Sequence, residues 1–169
     1  MIKDLRGFTP KIGKDVFIAD SAEIIGDVTI GDRCSIWFKA ILRGDVNTIT
    51  IGNEVNIQDL CLLHCTYQKT TLTIEDRVSV GHGVMLHGCK IGKSSLIGMG
   101  CIIMDNAVIP ANSLVGAGSL VTEGATFPEG HLILGRPARA VRPLTPEELK
   151  RIDKSADNYK FYTTWYKNT

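Results

Sequence analysis

The sequence has almost no excess of charge: 19 lysines and arginines stand against 18 aspartates and glutamates, a net charge of +1. That balance argues against a nucleic-acid or membrane-surface role, since both depend on a strong basic patch. The densest basic group, Arg136, Arg139 and Arg142, is too thin to overturn this. No apolar run approaches the ~20 residues that a membrane helix needs. The opening stretch MIKDLRGFTPKIG has neither the basic start nor the apolar segment of a secretory signal, and a cytoplasmic location is expected. Paired CxxC spacings are missing too. The five cysteines, at 34, 61, 65, 89 and 101, are expected to be reduced and to fill core positions. Cys61, His64 and Cys65 crowd together, but no second cysteine pair completes a four-ligand thiolate zinc site.

What the sequence does have is a period of six. Aliphatic residues recur at Ile12, Ile18, Ile24, Ile30, Ile36 and Leu42, then at Ile51, Ile57 and Leu63, then at Ile74, Val80 and Leu86. A last run covers Ile91, Ile97, Ile103, Ile109, Val115 and Val121, with Phe127 and Ile133 in phase. Gly or Ala often follows the aliphatic, as at Gly13, Ala19, Gly31, Gly52, Gly81, Gly92, Gly98 and Gly116. Six is neither a helical period nor a simple strand alternation. It suits short strands separated by sharp corners, stacked so that the aliphatic column is buried along one axis. That is a parallel β-helix.

The rhythm slips three times. Leu42 to Ile51 is nine residues, Leu63 to Ile74 eleven, and Leu86 to Ile91 five. Each slip follows a chemically loaded residue: Arg43, His64 and His87. With the eleven-residue step taken as one hexad plus a five-residue bulge, Leu42, Leu63 and Leu86 lie one full turn apart. Arg43, His64 and His87 are then expected in a column at one corner, with neighbours about 4.8 Å apart. His82 belongs about a hexad earlier, on another edge of the prism. Within GHGVMLHG, His82 and His87 are five apart, which puts them on opposite faces of a strand. A second copy of the chain must present His82 if all three histidines are to share one ion.

The segments RGDVNTITIGNEVNIQD, LLHCT, VGHGVMLHGCKIGKSSLIGMGCIIMDNAVI, GAGSLV and GRPARAVRPL resemble the gamma-class carbonic anhydrase family and its bacterial homologues. The resemblance spans residues 10–160. It implies an all-β solenoid, a left-handed parallel β-helix over residues 1–143 with a C-terminal α-helix over 144–169. It also implies a homotrimer with a metal at each subunit boundary, held by His64 and His87 of one copy and His82 of the next. Zinc is expected, and three imidazoles also suit iron or cobalt. A divalent metal with three protein ligands keeps an open position, where it lowers the pKa of a bound water to about 7. The hydroxide so formed would attack a small-molecule substrate, carbon dioxide. By the same resemblance Arg43 and Asp45 form an ion pair beside the metal, Gln58 orients the hydroxide, and Asp59 supports Gln58. Asn158 and Tyr159 resemble substrate-site residues supplied by the C-terminal helix.

Two departures from the family pattern bear on rate. Founding members carry an acidic loop after the first metal histidine, where this chain has CTYQKTT at 65–71 with no carboxylate. They also carry a glutamate after Arg-Gly-Asp, where this chain has Val46. Losing both proton-relaying groups is expected to slow turnover. Three other functions fit parts of the pattern: a metal-dependent acyl-CoA thioesterase, a hexapeptide acyltransferase and a non-catalytic metal-bearing scaffold. The acyltransferase class relies on one general-base histidine and needs no metal, so the three-histidine set weighs against it. His131 is expected to be structural. Past Pro143, Thr145, Pro146 and Glu148 predict an N-cap, a first-turn proline and a capping box for a helix reaching about Tyr166.

Overall fold

The computed structural model of the chain describes residues 1–166. The hexads form three stacked ladders of parallel strands, which are the three faces of a prism. One face stacks the first half of Glu23–Ile30, the first half of Ile41–Ile51, Leu62–His64, Met85–His87, Ile102–Ile103 and Leu120–Val121. The next stacks Lys11–Ile12, the second halves of the same two long strands, Leu72–Ile74, Lys90–Ile91 and Val108–Ile109. The third runs from Phe17–Ile18 through Ser35–Ile36, Asn56–Ile57, Ser79–Val80, Leu96–Ile97 and Leu114–Val115 to His131–Gly135. Ala138–Pro143 then pairs antiparallel with His131–Gly135 and ends the parallel stacking. Glu23–Ile30 and Ile41–Ile51 are longer than the hexad rhythm predicts. They turn the corner between two faces without breaking, through an irregularity between Gly26 and Val28.

Register follows the aliphatic column. Ile24, Leu42, Leu63, Leu86, Ile103 and Val121 stack on one another, and each is fully buried. Burying each such side chain stabilises the coil by roughly 1.5–3 kcal/mol. The residues two positions earlier, including Ala22, Cys34, Val55, Ser95 and Ser119, are buried as well and fill the corners. Glycine after the aliphatic has a steric cause. A Cβ on Gly31 would lie 2.6 Å from the carbonyl oxygen of Gly52 in the next coil. Backbones approach too closely there for any side chain.

The three faces differ on the outside. Pro146–Tyr162 is a helix capped by Thr145, with the expected capping box to Glu148, and it lies against the third face with Ile152 and Ala156 buried. It ends four residues earlier than the sequence suggests, because the chain tightens into a 3-10 turn at Thr163–Trp165. An ion-pair network fastens it. Arg77 reaches Glu54 at 2.6 Å and Asp153 at 2.7 Å, and Lys160 reaches Glu54 at 3.0 Å. The second face turns Lys11, Thr29, Thr50, Thr73 and Lys90 outward in one polar row. The first face turns out Ile41, Leu62, Met85, Ile102 and Leu120, an apolar row on a different face from the one the helix Pro146–Tyr162 packs against. Among the described residues no helix is long and apolar enough to cross a membrane.

Candidate metal centre

The apolar row is bordered by the chemically loaded residues. On one border Arg43, His64 and His87 follow the stacked Leu42, Leu63 and Leu86, and His64 and His87 are register partners. Their rings face each other with His64 Nδ1 and His87 Nε2 3.2 Å apart. On the opposite border the corner stacks Asp59 below His82, tied by Gly83 N–H donating to the Asp59 carbonyl at 2.8 Å. One face therefore carries two histidines on one edge and the third on the other. Among the described residues no group of three His, Cys, Asp or Glu side chains of a single chain converges on a metal position.

Each histidine is anchored by its own aspartate. His64 Nε2 lies 2.9 Å from Asp45 Oδ1, His87 Nδ1 2.7 Å from Asp105 Oδ1, and His82 Nδ1 2.7 Å from Asp59 Oδ2. A carboxylate accepts a ring N–H and so leaves the other ring nitrogen with its lone pair free. At the His64–His87 pair this sets two lone pairs against each other across 3.2 Å. That arrangement is repulsive unless a proton or a metal cation lies between them. Two nitrogens at 2.0–2.1 Å from a tetrahedral zinc would be roughly 3.3 Å apart, so the donor set fits a metal in both chemistry and spacing. His82, whose side chain is 47% exposed, has no partner on its Nε2 among the described residues, which leaves that nitrogen for an ion outside its own chain.

The surroundings of His64 favour a neutral, fixed imidazole. Burial holds His64 below the usual imidazole value, with Asp45 opposing and the nearby Arg43 charge adding to the shift. Burial works against the Asp45 carboxylate, yet hydrogen bonds from His64 and Arg43 outweigh it and hold it below the ordinary range. Arg43 pairs with Asp45 Oδ2, so this ion pair orients a histidine. Gln58 is buried and its amide donates to Asn56 Oδ1 at 3.0 Å, while Asn56 Nδ2 donates to Ser79 Oγ at 2.8 Å. Asp59 turns to His82 rather than to Gln58. Tyr159 comes from the C-terminal helix to the neighbourhood of Asp59, and burial with that carboxylate pushes its hydroxyl up to about 12. Asn158 is half-buried beside it but does not line the pocket next to His82. Cys61 and Cys65 point inward and donate to the carbonyls of Gly81 and Thr48. Burial pushes Cys61 up to about 12 and Cys65 to about 11, so these thiols are poor metal donors. His131 makes a local contact with the Glu129 carbonyl at 2.7 Å.

Several residues of the site carried no motif. Asp105 stands 18 residues after His87, one coil further on, and only that arithmetic could have singled it out. Trp37, Phe38, Tyr162 and Trp165 join Tyr159, Asp59 and His82 around a pocket of about 220 Å³. Trp37 meets Tyr159 edge-on at 5.4 Å, and Tyr162 meets Trp165 at 4.9 Å.

A family model for the bacterial transferase hexapeptide (six repeats) matches residues 9–44 and 88–123. The chain is 51% identical over 167 residues to a carbonic anhydrase of Geobacillus kaustophilus, covering 99% of this chain and 91% of that one. It is 43% identical over 158 residues to mitochondrial gamma carbonic anhydrase 2 of Arabidopsis thaliana, covering 89% of this chain and 56% of the longer plant protein. Its backbone matches a solved Bacillus cereus protein with a provisional acetyltransferase name at a TM-score of 0.96 and 45% identity, covering 99% and 97% of the two chains. Hexapeptide coils, the Asp-anchored histidines on their edges and these relatives agree that the chain belongs to the gamma-class carbonic anhydrase family, whose named members are lyases.

Proposed function

We propose that the chain hydrates carbon dioxide reversibly at a divalent metal, with zinc as the first choice and iron or cobalt also suited to its imidazoles. His64 and His87 of one copy and His82 of the next hold the ion, in a closed ring of three copies that meet along the apolar face. The observation that carries this reading is the set of three His–Asp pairs divided between opposite borders of that face, with the His64 and His87 ring nitrogens 3.2 Å apart on one of them. When bound, the metal lowers the pKa of a coordinated water to about 7, which supplies the nucleophile. The chain's own residues then orient and exclude. Asp45, Asp59 and Asp105 hold the rings in place, and Arg43 keeps Asp45 aimed at His64. Tyr159 lines the pocket on the His82 side, and the amide of Gln58, fixed by its hydrogen bond to Asn56, is the group assigned to orient the hydroxide. The Ile41, Leu62 and Met85 row keeps bulk water out once a second copy covers it.

No carboxylate stands in residues 65–71 to carry the released proton, so buffer in solution must take part in that step. Five unpaired, buried cysteines support a reducing compartment, the cytoplasm. The decisive experiment combines metal analysis of protein purified without chelator with stopped-flow carbon dioxide hydration. One metal per chain and a hydration rate that climbs with buffer concentration are expected. Protein that neither carries nor takes up zinc, iron or cobalt would refute the reading.

A second reading, hydrolysis of a small acyl-CoA thioester at the same centre, is supported by the aromatic pocket of about 220 Å³ beside His82, larger than carbon dioxide requires. Metal-dependent thioester cleavage without hydration activity would favour it.

A further inference from the structure

The five-residue insertion after His64 has a defined shape. Residues 66–70 close on themselves: Thr66 N–H donates to Thr70 Oγ1 at 3.0 Å, and Lys69 and Thr70 N–H both donate to the Thr66 carbonyl, at 3.2 and 3.3 Å. This turn directs two hydroxyls at one carboxylate a full coil and more away in sequence. Thr66 Oγ1 donates to Asp105 Oδ2 at 2.5 Å, and Thr70 Oγ1 donates to Asp105 Oδ1 at 3.3 Å. The same Oδ1 accepts from His87 Nδ1 at 2.7 Å. The residue after His87 is Gly88, where a Cβ would lie 2.2 Å from both Thr70 Oγ1 and Asp105 Oδ1. Only a residue without a side chain leaves room for this contact. The three-coil assembly of insertion, aspartate and histidine is therefore built as a unit.

We propose that Asp105, clamped by the hydroxyls of Thr66 and Thr70, is the positioning residue that presents His87 Nε2 to the metal, and that the insertion at 65–71 serves the centre as this clamp. The inference rests on the reading that His87 is a metal ligand. A carboxylate on the ring N–H fixes the tautomer and raises the basicity of the opposite nitrogen. Two hydroxyls on that carboxylate remove its rotational freedom, so the ring is already aimed before an ion arrives.

The test is metal affinity, measured on the full-length assembled protein by titrating cobalt and zinc against a chromophoric chelator. Asp105→Asn keeps the shape but weakens acceptance from the ring, and the double change Thr66→Val with Thr70→Val removes both hydroxyls at nearly constant volume. Each is expected to weaken affinity about 10–100-fold and to shift the visible bands of the cobalt form. Thr66→Ser with Thr70→Ser restores both hydroxyls and should restore wild-type affinity and spectrum, a rescue that a packing role for the methyl groups would not give. Should Asp105→Asn fail to fold, the valine pair decides alone. A valine pair with wild-type affinity and cobalt spectrum would overturn the clamp. Wild-type protein that binds no metal would instead overturn the ligand reading beneath it.

Discussion

Subunits carrying His82→Ala and subunits carrying His87→Ala each lack a different third of the proposed donor set, and mixing them should restore what neither has alone. His82 and His87 lie on opposite borders of one face, with side chains 47% and 34% exposed, so neither change opens the core. In a head-to-tail ring each centre draws His64 and His87 from one copy and His82 from the next. A centre is intact only where a His82→Ala copy supplies the pair and a His87→Ala copy supplies the single ligand. With equal, random mixing this happens at roughly a quarter of all boundaries, whatever the number of copies in the ring. Giving the two variants different tags and purifying through both selects mixed rings. A mixed ring of three then has one intact boundary, so roughly a third of the wild-type metal returns, against half for a mixed pair. Metal analysis of the two parent proteins and of the doubly purified product reads the result. Either parent retaining full metal, or a mixed product with no more than its parents, would refute sharing between copies.

Removing the proposed metal should lower thermal stability without dissolving the solenoid, because no core column contains a proposed ligand. Stripping an ion held at about a hundredfold above its Kd costs about 2.7 kcal/mol, so chelation should lower Tm while the β circular-dichroism signal of the cold protein stays. Leu63→Ala empties a fully buried site in the middle of the stack and should cost about 3–5 kcal/mol in chemical denaturation. A loss below about 1 kcal/mol would mean that the coils collapse into the space. Gly31→Ala sets a methyl 2.6 Å from a backbone oxygen that cannot swing away, and should cost about 1–3 kcal/mol by the same assay. For acid stability the relevant group is Glu54, held down to about 2 by the hydrogen bond from Lys160, with Arg33 and Arg77 adding and burial opposing. Its folded value lies below its ordinary 4.5. The contribution is therefore complete above pH 4.5 and fades as pH falls towards 2. Wild type should lose thermal stability faster across that window than Glu54→Gln, and parallel curves would refute the assignment.

The hexads made the fold legible because one physical demand, an aliphatic residue in each short strand of each coil, repeats often enough to survive every interruption. The same counting placed His64 over His87 and set His82 apart, since a coil has a fixed length apart from its bulges. What it missed shares a different property. Asp105 joins the centre through a hydrogen bond to a side chain one coil away, and a lone aspartate in MDNAV has nothing local to mark it. Thr66 and Thr70 sit in a bulge, where the register is by definition lost, so no periodicity could say what they face. Asp59, which the family resemblance implies as the support of Gln58, contacts His82 instead. Successive residues at a corner diverge, and the coil above brings His82 within 2.7 Å of Asp59. The aromatic wall of Trp37, Tyr159, Tyr162 and Trp165 joins a solenoid corner to a helix more than a hundred residues later, held by charges at Glu54 and Arg77. In a repeat protein, then, the periodic residues report the scaffold, and the chemistry gathers where the period breaks. The three slips after Arg43, His64 and His87 are where Asp45 reaches His64, where Thr66 and Thr70 reach the Asp105 that holds His87, and where Gly88 leaves room for that contact.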